Sequence, residues 1–423
     1  MPRRLSRRRR RRRRRILLIS LAAVVTVGGI VAAFVLTSSN NSSEPRALLP
    51  PASGSAATGP VSHRSFLERV IPPPAEHSSG PSVPSSLTDL AERLPLERKV
   101  AQLFIFGFEG KDSTAPVFGD LAKLDMGGLS ITGDNYSDPQ QLTALTDAAD
   151  KVVKDHHLVP PWLLTVQDGG EFSELGDLPP DDPPSKVKSI RQAADDAAQT
   201  ASALRQVGIN GVLGPDVDVD TSTGGAYTRL TYSDSPTEVA RFAAVTVKAF
   251  AREKMFVTPK HFPGLGAAAR PTDDGPANVG LTPQQLGARD LVPFKAAFDA
   301  GASGVMLGHG LYSTDEFVTP ASQSTALATQ LLRGNMRFEG VAVTDDLESP
   351  AITGSQSVPD AAVASIKAGA DMVWISGPRD DQMAAYLAVL NAARRGEIPS
   401  ARIQEAVLRV LQTKQQLDLI SGG

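Results

Sequence analysis

The 423-residue chain contains no cysteine, which excludes disulfides, thiolate metal sites and a lipid-modified cysteine anchor. It also lacks any strand-Gly-x-Gly-x-x-Gly-helix unit of the kind that binds dinucleotides. Charge of one sign is concentrated in one place. The net charge of −3 conceals +11 from Arg3, Arg4 and the run Arg7 to Arg15, so everything after that run carries −14. An acidic remainder of this size argues against nucleic acid as its partner.

Long uncharged stretches are rare too, and the longest abuts the arginines. Residues 16–36 are 21 consecutive uncharged positions, enough at about 1.5 Å per residue to cross a hydrocarbon core of about 30 Å. Arginines on its N-terminal side predict a cytoplasmic tail (1–15), a transmembrane helix (16–36) and an extracytoplasmic remainder in the plasma membrane. Those arginines would then lie against anionic lipid head groups. Two other readings of the segment stay open. The arginines can be a nucleic-acid tail, and Ala32-Ala33 or Ser38-Ser39 can mark a cleaved signal peptide, although the apolar stretch exceeds the usual 7 to 15 residues or so.

From Thr37 to about Ser86 the chain is rich in Ser, Pro, Ala, Gly and Asn with little apolar periodicity, the composition of a flexible spacer. Residues 87–423 read differently, as one domain. Short apolar runs at 100–108, 128–132, 162–166, 211–213, 256–258, 304–307, 340–344 and 372–376 are candidate strands. Amphipathic segments at 139–155, 186–207, 236–252, 283–300, 324–336, 359–368 and 381–395 are candidate helices. Strands apolar on both faces and separated by helices imply parallel pairing. Eight such units in one domain predict an α/β fold of the (β/α)8 TIM-barrel type.

In such a barrel, chemistry sits where the strands end. Asp168 follows the third run, Asp216 and Asp218 the fourth, Lys260 and His261 the fifth, His309 the sixth, and Asp345 and Asp346 the seventh. Taken singly, each is more readily a cap or rim residue. Glycosidic bond cleavage needs carboxylates on either side of an anomeric carbon, and Asp345 at a strand end suits one of those roles.

Lys260-His261-Phe262-Pro263-Gly264-Leu265-Gly266 resembles the Lys-His-Phe/Ile-Pro-Gly-His/Leu-Gly hallmark of bacterial β-N-acetylglucosaminidases (β-N-acetylhexosaminidases) of glycoside hydrolase family 3. The resemblance extends from about Leu94 to Leu419. It includes Leu96-Glu97-Arg98-Lys99-Val100-Ala101-Gln102-Leu103, the Gly208-Ile209-Asn210 segment with Pro215 and Asp218 beyond it, Arg229, and Val343-Thr344-Asp345-Asp346-Leu347. It implies retaining hydrolysis of terminal β-linked N-acetylhexosamine, often from cell-wall fragments. Asp345 would be the nucleophile, and Lys260, His261, Arg229, Asp168 and His309 the sugar-binding set. It implies no metal and no cofactor. The oligomeric state is not readable.

Two departures stand out. Where family members carry Asp-Ser/Thr-His, the histidine serving as acid/base, this chain has Pro271-Thr272-Asp273. Asp273 or its neighbour Asp274 would have to move the proton instead, with a carboxyl pKa raised by burial or neighbouring charge. Where the family reads Asp-x-Glu-Gly-Gly-Arg, this chain reads Val166-Gln167-Asp168-Gly169-Gly170-Glu171, so one sugar contact becomes apolar and another reverses its charge. The alternative implied by these losses is a catalytically impaired member acting as a surface glycan-binding or interaction module.

Overall fold

A computed structural model describes residues 85–220 and 227–420. The expected tail, membrane span and nearly all of the spacer lie outside them. Among the described residues no helix is long and apolar enough to cross a membrane.

Eight parallel strands form one sheet: β1 (Phe104–Gly107), β2 (Gly128–Ser130), β3 (Trp162–Thr165), β4 (Gly211–Val212), β5 (Phe256–Val257), β6 (Gly304–Leu307), β7 (Val341–Asp346) and β8 (Met372–Ile375). They run in the order β5-β4-β3-β2-β1-β8-β7-β6. The ladder between β5 and β6 is replaced by bonds just past the end of β5. Phe262 N donates to Met306 O at 2.7 Å and Gly308 N to Phe262 O at 2.9 Å, so the segment carrying Lys260 and His261 itself closes the barrel. The helices around the sheet complete a TIM-type α/β fold.

Several helices begin with one device, a side-chain cap followed by proline at the first helical position. Asp138 caps Pro139–His156, Ser235 caps Pro236–Arg252, and Thr282 forms a reciprocal capping box with Gln285 at Pro283–Ala288. Inside the barrel, Ile105, Trp162, Leu164, Leu213, Phe256, Met306, Val341, Val343 and Met372 form the core. Trp162 and Phe256 stack with centroids 4.1 Å apart.

Two expected elements differ. The run at 100–108 begins as the end of a helix, Leu96–Ala101, and only Phe104–Gly107 is strand. Pro95 sets the helix start and the charged triplet Glu97-Arg98-Lys99 suits the solvent side, while Val100 and Ala101 are buried. The helix expected at 283–300 is two, Pro283–Ala288 and Leu291–Asp299. Pro293 lacks an N–H, and its ring would clash with the carbonyl four residues back, so a single helix cannot run through Arg289.

Candidate active site

Strand ends bring the charged residues together. The extension of β4 pairs in parallel with that of β5 through Asp216 and Lys260, which sets Asp216 and Asp218 beside Lys260 and His261. Lys260 is 6% exposed. Its Nζ donates to Asp168 Oδ2 at 2.5 Å and to the Leu213 carbonyl at 2.8 Å. Burial disfavours its charge, but Asp168 first, then Asp216 and Asp345, raise its pKa. The ion pair needs room that only glycine leaves. A Cβ on Gly214 would sit 2.7 Å from Asp168 Oδ1.

His261 is oriented by Asp218, whose Oδ2 lies 2.8 Å from Nδ1. Oδ1 of the same carboxylate accepts from Leu265 N at 2.7 Å. Burial pulls the imidazole pKa down, yet the Asp218 hydrogen bond and charge, with Asp345 and Asp216, outweigh it and raise it to about 9. The hallmark loop turns at Gly264, where φ is +129° and a Cβ would meet Asp290 Cβ at 2.4 Å.

At the end of β7 the two aspartates differ. Asp346 accepts from Ser376 N at 3.1 Å, from Glu348 N at 3.1 Å and from the Ser376 hydroxyl. Burial pushes its carboxyl up to about 6 against those donors. Asp345 takes Asp346 N on Oδ1 at 2.8 Å, and its charge is felt at Lys260, His261, His309 and Tyr227. That shared influence puts Asp345 near the residues that follow β5 and β6, and near Tyr227.

The other expected sugar contacts are engaged by the protein. His309 is fully buried. Its Nδ1 lies 2.9 Å from Ser322 Oγ and its Nε2 3.0 Å from the Asp346 carbonyl. A carbonyl only accepts, so Nε2 carries the proton and Nδ1 accepts from the serine. Burial lowers its pKa and favours the neutral ring. The ring thereby holds the β7 backbone at Asp346, next to Asp345. Arg229 is largely exposed and ion-paired with Glu171, its guanidinium 5.9 Å from the Phe172 ring centroid. The acidic residue at the family's arginine position thus occupies the neighbouring arginine.

Asp273 and Asp274 lie on a short 3-10 turn, Thr272–Asp274, and both are exposed, so the burial expected to raise a carboxyl pKa there is not found. The turn is held at both ends of one residue: Thr272 N donates to Tyr227 Oη at 3.2 Å, and Thr272 O accepts from Ser349 Oγ at 2.9 Å. Ser349 is four residues past Asp345, so the loop folds over the β7 end of the mouth. The Asp273 charge also reaches His309. Tyr227, Ser349, Ser322 and Ser376 all shape this rim and escaped sequence reading, because hydroxyls carry no spacing signature. Tyr227 sits with its ring centroid 6.0 Å from that of His261.

Comparison with known proteins agrees with this geometry. The model of the glycosyl hydrolase family 3 N terminal domain matches residues 95–413. A β-hexosaminidase of Stenotrophomonas maltophilia is 29% identical over 289 residues, covering 65% of this chain and 84% of that one. One from Xylella fastidiosa is 30% identical over 291 residues with the same coverage. Among solved structures, a glycoside hydrolase family 3 β-N-acetylglucosaminidase from a Paenibacillus species superposes with TM-score 0.73 at 29% identity, covering 78% of this chain and 64% of that one. The β-N-acetylhexosaminidase of Beutenbergia cavernae gives 0.69 at 27%, covering 76% and 98%. With the family model matched over most of its length and the hallmark segment closing its barrel, the chain belongs to glycosyl hydrolase family 3.

Proposed function

We propose that the chain is a retaining glycosidase acting on terminal β-linked N-acetylhexosamine, with Asp345 as nucleophile. The observation that carries this is the convergence of Asp345, the Lys260–Asp168 pair and the Asp218-oriented His261 at one barrel rim. Asp345 attacks the anomeric carbon, and the glycosidic oxygen leaves with a proton from Asp273 or Asp274. Water, deprotonated by the same carboxylate, then releases the sugar with retained configuration. Lys260 and the Nε2–H of His261 donate to sugar hydroxyls. The names of the relatives support N-acetylhexosamine over other sugars. Residues 1–36 anchor the enzyme to the plasma membrane, and cell-wall fragments are the substrate within reach of such an anchor.

A second reading has its own support. No histidine stands at the family's acid/base position, and Glu171 occupies Arg229, so the barrel would bind glycans without cleaving them. Turnover of an aryl β-N-acetylglucosaminide and a panel of other aryl glycosides separates the two. Activity abolished by Asp345→Asn and reduced roughly 10²- to 10⁴-fold by Asp273→Ala, the range for loss of acid–base catalysis, supports the enzyme. No turnover of any sugar, with glycan binding retained, supports the binding module.

A further inference from the structure

We propose that Asp216, Asp218 and His261 bind one divalent metal ion, Zn²⁺ by the chemistry of the donors, on the Nδ1 side of His261. One oxygen or nitrogen from each of the three lies within 4.8 Å of the others. His261 Nδ1 is 2.8 Å from Asp218 Oδ2 and 3.9 Å from Asp216 Oδ2. All three groups are buried, with the aspartates at 0% and 1% exposure.

Asp216 supplies the reason to look for a ligand. Its Oδ1 accepts from Asp218 N at 3.0 Å, but its Oδ2, wholly buried and facing the imidazole, has no hydrogen-bond partner among the described residues. A buried carboxylate oxygen left unpaired is costly. The nearby ammonium of Lys260, which donates to Asp168 and the Leu213 carbonyl, makes no hydrogen bond to it. Zn²⁺ displaces the proton that His261 otherwise holds against Asp218, and the two carboxylates then balance its double charge.

The donor set selects the ion. One imidazole nitrogen and two carboxylate oxygens suit zinc, and the imidazole argues against magnesium and calcium. Bonds of about 2.0–2.2 Å at tetrahedral angles place ligand atoms roughly 3.3–3.5 Å apart. The present separations of 2.8 and 3.9 Å bracket that value, so one contact opens and the other closes by about half an ångström as the ion enters. Bound there, the ion fixes the ring so that Nε2 keeps its proton, the outer-partner effect usual for metal-held histidine. Hydrolysis itself needs no such ion. The site stands on its own geometry, whether or not the barrel turns over sugar.

The test is calorimetric titration of the chelator-stripped full chain with ZnCl₂, in wild type, Asp216→Asn and Asp216→Ala, each in a His156→Ala, His157→Ala background that removes the exposed histidine pair. Wild type should bind one more Zn²⁺ than Asp216→Ala, and Asp216→Asn should bind it at least tenfold more weakly. Circular dichroism checks that the variants are folded. Zinc absorption-edge spectroscopy on the wild-type background should show nitrogen and oxygen neighbours near 2.0–2.2 Å. Equal stoichiometry and affinity in folded wild type and variants overturns the site, as does a zinc spectrum without an imidazole neighbour.

Discussion

Adjacent aspartates at the end of β7 sit in different surroundings. Asp346 is tied to Ser376 and to the Glu348 amide, whereas Asp345 accepts from the Asp346 amide and its charge reaches Lys260 and His261. Asp346 also sets a pH dependence. Its folded pKa of about 6 lies above the ordinary 3.8, so the folded state holds its proton more tightly than the unfolded one. The stability this contributes is fully present below about pH 3.8 and is lost as pH rises through 6. Thermal melts of wild type and Asp346→Asn should therefore diverge in favour of the asparagine variant between pH 4 and 7; parallel melts over that range would contradict the assignment. Asp168→Asn should cost more than a surface ion pair would, because it leaves the buried Lys260 ammonium without its counter-charge. A loss of about 3 kcal/mol or more, the range for breaking a buried pair, is expected in chemical denaturation.

At the level of elements, the loop carrying Asp273 is held by Thr272 between Tyr227 and Ser349. Ser349→Ala removes a bond worth about 1 kcal/mol and frees the loop from the β7 end. If Asp273 moves the proton, kcat should fall several-fold for this variant with little change in KM. An unchanged kcat would mean that the loop position does not matter to the chemistry.

The hallmark loop and most strands were legible because their signals are local, as in a contiguous seven-residue motif or a run of apolar residues ending in charge. What was not legible depends on partners distant in sequence. Nothing local to His309 shows that Ser322 and the Asp346 carbonyl take both of its nitrogens. The pairing of Arg229 with Glu171 spans two loops. The break before Leu291 has a local cause in Pro293, although the apolar spacing on either side of it continues at helical period. Val100 and Ala101 looked like strand because a helix's buried end and a buried strand are both short apolar runs.

For the whole molecule, the family's barrel persists while the acid/base histidine is gone from its usual place. A charge split of +11 ahead of the uncharged stretch and −14 beyond it suits a chain held at a membrane with its barrel outside. The full chain should sediment with membranes and resist carbonate extraction, and removal of residues 1–36 should release it; a full chain recovered wholly in the soluble fraction would sink the anchor.

The central claim, that Asp345 attacks the sugar, is tested most directly by trapping the glycosyl-enzyme. Incubation with a fluorinated N-acetylglucosaminide whose intermediate hydrolyses slowly, followed by proteolysis and mass spectrometry, should show one sugar mass on the peptide containing Asp345, and none in Asp345→Asn. A label on any other residue, or hydrolysis with inverted configuration and no label, would contradict it.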